Sequence, residues 1–117
     1  MTPTQLTLRE LERLGAVADV VERWIPHTKI KKDLFGFIDI VALLGPNTIG
    51  IQTTTATNHS HRRKKILAEP RAKAWLAAGN LIEIHSWSGS GTKAICRKEE
   101  IVLEDCIAYE ADDEDDE

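Results

Sequence analysis

Leu34-Phe35-Gly36-Phe37-Ile38-Asp39-Ile40-Val41-Ala42-Leu43-Leu44 returns after Gly45-Pro46-Asn47 as Thr48-Ile49-Gly50-Ile51-Gln52-Thr53-Thr54. The first run is apolar apart from Gly36 and a single acid, Asp39. A continuous apolar run bounded by turn signals reads as a strand covered on both faces. Gly-Pro-Asn is turn composition, so the second run is expected to pair with the first as an antiparallel hairpin. Period-two alternation puts Ile49, Ile51 and Thr53 on one face and Gly50, Gln52 and Thr54 on the other. A carboxylate inside an oily strand is costly unless a cation, a metal or several donors compensate it. Asp39 is therefore either a ligand for chemistry or the centre of a structural hydrogen-bond network.

Working outward, residues 5–24 space Leu6, Leu8, Leu11, Leu14, Val17, Val20 and Val21 near helical period, with Arg9, Glu10, Glu12, Arg13 and Glu22 opposite. That pattern predicts an amphipathic helix, bent or split at Gly15 and stopped by Pro26. His27 to Lys32 is a basic connector with the character of an edge strand. Asn58 or Ser60 is placed to cap a second helix carrying His61 to Lys65. Pro70 opens its continuation and Gly79 ends it. Leu81 to Trp87 alternates as a strand, and Thr92 to about Ile107 reads as one or two more. Trp24, Trp75 and Trp87 are expected in the core or at its edge. Residues 1–110 then form one domain, followed by an acidic, disordered tail over 111–117.

The chain of 117 residues has room for one core. No run approaches the roughly 20 apolar residues of a membrane span, and Met1 to Leu6 lacks the features of a secretory signal. Cys96 and Cys106 form no metal or disulfide pattern. A cytoplasmic location away from membranes is the expectation. The net charge of −4 is unevenly spread: eleven acids and no Lys or Arg lie between Glu99 and Glu117, and setting them aside leaves +7 for residues 1–98. Lys29, Lys31, Lys32, Arg62, Arg63, Lys64, Lys65, Arg71 and Lys73 concentrate that surplus, as a phosphate-backbone binder would.

In this order of elements, and in Lys31 to Asp39, Ile51-Gln52-Thr53-Thr54, Asn58-His59 and Arg62 to Ile66, the chain resembles the PD-(D/E)XK nuclease superfamily. The likeness runs from about Leu6 to Trp87 and is nearest to small Holliday-junction-resolvase-like and phage or bacterial repair-type endonucleases. It implies an α/β fold with a restriction-endonuclease-like αβββαβ core, a central mixed sheet flanked by helices. It also implies Mg²⁺- or Mn²⁺-dependent hydrolysis of DNA phosphodiesters, branched or repair intermediates included, by a homodimer. Asp39 matches the metal-binding Asp. Gln52 stands where a second metal-binding acid is expected, Thr53 where a backbone carbonyl can ligate, and Thr54 where a Lys is expected.

Those departures matter chemically. Gln52 offers a neutral oxygen in place of a charge, and Thr54 cannot act as a cation. Asp33, Glu22, Lys31, Lys32, Lys64 and Lys65 are the residues available to fill the missing roles, and Gln5 lies nearest the expected acid of the first helix. The resemblance assigns DNA contact to Lys31, Lys32, His59, Arg62, Arg63 and Lys65. An inactive nuclease-fold module that binds nucleic acid or a partner protein is the alternative reading.

Overall fold

The computed structural model describes residues 1–115. Helix α1, Pro3–Arg13, starts with Pro3 at its first position and a capping box in which Thr2 and Gln5 satisfy each other's backbone N–H groups. It is far shorter than the expected helix over 5–24. Gly15 takes φ +80°, and the chain reverses into β1, Val17–Val20. Valines suit a strand as well as a helix face; pairing with a distant strand decides between them here.

A short ribbon follows, β2 (Arg23–Ile25) antiparallel to β3 (Ile30–Lys32). The long strand expected over 34–44 is also shortened, to β4, Ile40–Leu44. Phe35 and Gly36 take φ +54° and +82°, folding Leu34 to Phe37 into a tight turn closed by a bridge between Leu34 and Ile38. Nor is β4 covered on both faces throughout, since Leu43 is 49% exposed. The hairpin itself stands: β5, Asn47–Thr55, pairs antiparallel with β4 from Ile40 opposite Ile51 to Leu44 opposite Asn47.

Helices α2 (His59–Ala68) and α3 (Pro70–Ala77) carry the chain to β6, Leu81–Ser88, which lies parallel to β5. A parallel neighbour requires such a crossover. Then β7, Ile95–Ile101, adds an antiparallel edge. The strand character expected as far as Ile107 ends there, because α4 occupies Leu103–Asp115. Asp105 accepts the Val102 N–H at 2.9 Å, and acids in the first turn favour a helix start. The tail expected from Ala111 thus begins inside α4; residues 116 and 117 lie outside the described residues.

The main sheet has the order β1-β4-β5-β6-β7. On one face, Leu11 of α1 packs with Ile40, Ala42, Ile49 and Ile51. On the other, Ile66, Leu67, Ala72 and Cys106 from α2, α3 and α4 pack with Phe37, Ile38, Ile82, Ile84 and Ile101. Helices on both faces of a mixed five-stranded sheet make this an α/β fold. Among the described residues no helix is long and apolar enough to cross a membrane.

Candidate metal centre and nucleic-acid cleft

Asp39 lies between the tight turn and β4, where the chain is pinned from both sides. Its N–H donates to Ile51 O at 2.9 Å, and its carbonyl accepts the Val21 N–H at 2.8 Å. The second bond anchors one root of the β2–β3 ribbon, and the Leu34 N–H to Ile38 O bond, 2.9 Å, anchors the other. Arg23 pairs with Lys32 across the ribbon, so extending the register by one residue sets Glu22 opposite Asp33. Both acids are thereby carried to Asp39. Carboxylate oxygens of Glu22, Asp33 and Asp39 all lie within 4.8 Å of one another.

The trio lines a cleft of about 430 Å³ whose walls include Thr2 and Thr4 at the start of α1, Gln52 to Thr55 of β5, and Lys31, Asn58, Arg62 and Lys65. Asp39 is only 4% exposed. Its Oδ2 accepts from Gln52 Nε2 at 2.6 Å, Thr53 N at 2.9 Å and Thr53 Oγ1 at 3.2 Å. Thr4 and Thr53 hydroxyls meet at 3.0 Å, tying α1 to the same corner. Burial first, then a hydrogen bond shared with Asp33 and the charges of Asp33 and Glu22, push the Asp39 carboxyl up to about 7 against the opposing Thr53 N–H. Cations border the acids as well: Lys31 Nζ is 3.6 Å from Glu22, and Lys65 Nζ is 3.5 Å from Asp33.

Two buried polar atoms of this cleft have no partner, and they are opposite in kind. Gln52 Oε1 is an acceptor without a donor; Arg62 Nε is a donor without an acceptor. Buried polar groups are normally paired, so each invites an explanation. A hard divalent cation takes carboxylate and amide oxygens. Ligand atoms on opposite sides of an octahedral Mg²⁺ lie about 4.2 Å apart, close to the spread of the acid trio. Glu22, Asp33 and Asp39 are thus a donor set that fits such an ion, and Gln52, with its unpartnered Oε1, lines the same cleft.

The residues expected at the site are distributed unevenly. Asp39, Gln52, Thr54, Asp33, Glu22, Lys31, Arg62 and Lys65 converge on the cleft. Arg62 and Lys65 share a helix face, being three residues apart. Thr53, expected to offer its carbonyl, lends its N–H and hydroxyl to Asp39. Glu22 comes from the loop after β1, not from the end of a helix. Lys32 lies on the other face of the ribbon, beside Arg23, Leu34 and Arg71.

Two residues expected to contact DNA are engaged elsewhere. His59 is 2% exposed, with one ring nitrogen against Ser86 Oγ and the other 2.7 Å from Glu99. Arg63 turns towards α4, pairing with Glu99 at 2.7 Å and Asp105 at 3.7 Å. Burial works to raise the Glu99 carboxyl, but His59 and Arg63 outweigh it and hold it below the usual range. The Ser86–His59–Glu99 chain, buried at Ser86 and His59, lies outside the residues that line the cleft. Thr4 and Asn58 also line the cleft; the sequence offered them as helix caps and not as site residues, because the long-range packing that brings them there leaves no local signal. Searches among protein-family models, curated proteins and solved structures find no match to this chain.

Proposed function

We propose that the protein is a divalent-metal-dependent endonuclease-like phosphodiesterase acting on DNA. The observation that carries this reading is the pair of unsatisfied atoms flanking the acid trio: Gln52 Oε1 suits a cation, and Arg62 Nε suits an anion. A phosphodiester beside a metal ion brings both charges into one cleft. Bound there, Mg²⁺ or Mn²⁺ supplies a water of lowered pKa and positive charge for the phosphoryl oxygens.

The chain's own residues divide the remaining work. Glu22, Asp33, Asp39 and Gln52 hold the ion. Gln52 Nε2 and Thr53 hold Asp39 in place by three hydrogen bonds to its Oδ2. Arg62 receives a phosphate oxygen, while Lys65 and Lys31 attract the backbone and balance the carboxylates. Lys65 is also the available cation beside the acids, since Thr54 cannot serve as one. The order α1-β1-β4-β5-α2-β6, with β5 and β6 parallel, agrees with a restriction-endonuclease-like αβββαβ core into which the ribbon is inserted.

A second reading has its own observation. Three donors already converge on Asp39 Oδ2, enough to satisfy that oxygen without an ion. That arrangement would serve an inactive module that kept the cleft for binding nucleic acid or a partner protein. Labelled linear, single-stranded and four-way-junction DNA incubated with Mg²⁺ or Mn²⁺ separates the two. Cutting by the wild type that vanishes in Asp39→Ala supports the nuclease. Salt-sensitive binding by both proteins without cutting supports the inactive module, and light scattering on the same samples tests the homodimer.

A further inference from the structure

The β2–β3 ribbon stands apart from the main sheet as a two-stranded unit. From Arg23 to Lys32 it carries Arg23, Lys29, Lys31 and Lys32 and no acid. Its two faces differ. Arg23 and Lys32, directly opposite each other, border a small cleft with Leu34, Phe35 and Arg71. Trp24 and Lys31, the next pair, therefore share the opposite face. Lys31 lines the acidic cleft, so Trp24, its cross-strand partner, shares the ribbon face that leads to the cleft and lies beyond the residues lining it.

There Trp24 is 52% exposed. The other two indoles are engaged: Trp75 Nε1 donates to Leu81 O at 2.8 Å, and Trp87 Nε1 donates to Thr7 Oγ1 at 2.9 Å. Leaving a large aromatic in water forfeits the burial that usually justifies it. An aromatic face beside basic side chains is the combination that takes single-stranded nucleic acid, the ring stacking on a base while the cations follow the phosphates. A base within an intact duplex is already stacked and offers no free face.

We propose that the ribbon grips single-stranded nucleic acid, Trp24 stacking on an unpaired base while Lys31 leads the adjoining phosphate into the cleft. The inference rests on the nucleic-acid reading above and narrows its substrates to single strands and to junctions or flaps with an unpaired base. Smooth duplex is the disfavoured substrate.

The test measures affinity in EDTA, so that cleavage plays no part, with oligo-dT and a hairpin duplex of matched length as probes. Wild-type protein should bind oligo-dT with quenching of tryptophan fluorescence. Trp24→Ala should lose about tenfold on oligo-dT and little on the duplex, while Trp24→Phe retains most of the affinity. Circular dichroism of both variants checks that the fold is intact. Equal losses on the two probes, or an unchanged ratio of affinities, would overturn the proposal. Its failure is distinct from failure of the nuclease reading, which is decided by metal-dependent cutting whatever this ratio proves to be.

Discussion

Gln52 donates to Asp39 Oδ2 at 2.6 Å and leaves its own Oε1 buried without a partner. One amide therefore restrains the central acid and keeps an acceptor oxygen unpaired. An acid at this position would repel Asp39 in the absence of a cation. A neutral amide lets this corner stay folded without one, with one negative charge fewer than an acid would bring.

Replacing that amide separates these effects. Gln52→Glu should lower the stability of the EDTA-treated protein by roughly 1–3 kcal/mol, because the donor is lost and a like charge gained. The rise in melting temperature on adding Mn²⁺ should exceed that of the wild type. Melting curves with and without Mn²⁺ measure both; an equal rise in the two proteins would remove Gln52 Oε1 from the metal site.

Asp39 makes the metal-free protein sensitive to pH. Its folded-state carboxyl titrates at about 7 against an ordinary 3.8. Between those values the native state keeps a proton that the unfolded chain releases, so stability falls as pH rises. The contribution is whole below about 4 and lost above about 7, on the order of 4 kcal/mol at most. Asp39→Asn, which keeps the shape without the charge, should flatten the slope in denaturant titrations between about pH 4 and about pH 7. A slope identical to that of the wild type would place the titrating group elsewhere.

The four cations of α2 should not be equivalent. Arg62→Glu and Lys65→Glu should each weaken DNA binding several-fold, and neutralising either should reduce the salt slope by about 1. Arg63→Ala should leave binding nearly unchanged while costing about 1 kcal/mol of stability through the loss of its Glu99 pair. Fluorescence anisotropy over a salt series checks the ranking. Equal effects at all three positions would mean that helix charge acts as a whole.

His59 should behave as a core residue. His59→Ala removes partners from Ser86 and Glu99 and opens a buried site, so a loss of about 2–4 kcal/mol is expected. DNA affinity per folded molecule should be unchanged. A fall in affinity without loss of stability would return His59 to the DNA surface.

Several elements could be read directly because their signals are local. Gly45-Pro46-Asn47 turns the chain, and the alternation of Ile49 and Ile51 sets the face of β5. Pro70 and Gly79 bracket α3. Val17 to Ile25 misled because a valine-rich stretch fits a helix stripe or a strand, and β1 exists only through its ladder with β4. Leu34 to Phe37 misled in another way, since Phe35 at positive φ leaves no mark in composition. Leu103 to Ile107 reads as a strand in the sequence because the packing of Cys106 and Tyr109 against the distant core is not written in that segment.

An α/β core and the need of Asp39 for compensation can both be read in the sequence, from periodicity, turn chemistry and the cost of a buried charge. That Gln52 and Thr54 stand where an acid and a Lys are expected follows only from the resemblance to the nuclease superfamily. Only the tertiary structure decided that Glu22 and Asp33 meet Asp39, that Arg62 and Lys65 turn to the cleft while Arg63 and His59 turn away, and that Trp24 is left in water. The reason is physical. Residues 22, 33, 39 and 52 are brought together by backbone bonds between Val21 and Asp39, Leu34 and Ile38, and Asp39 and Ile51. No local preference encodes the two long-range bonds among them, Val21 to Asp39 and Asp39 to Ile51, and the site exists only once they form.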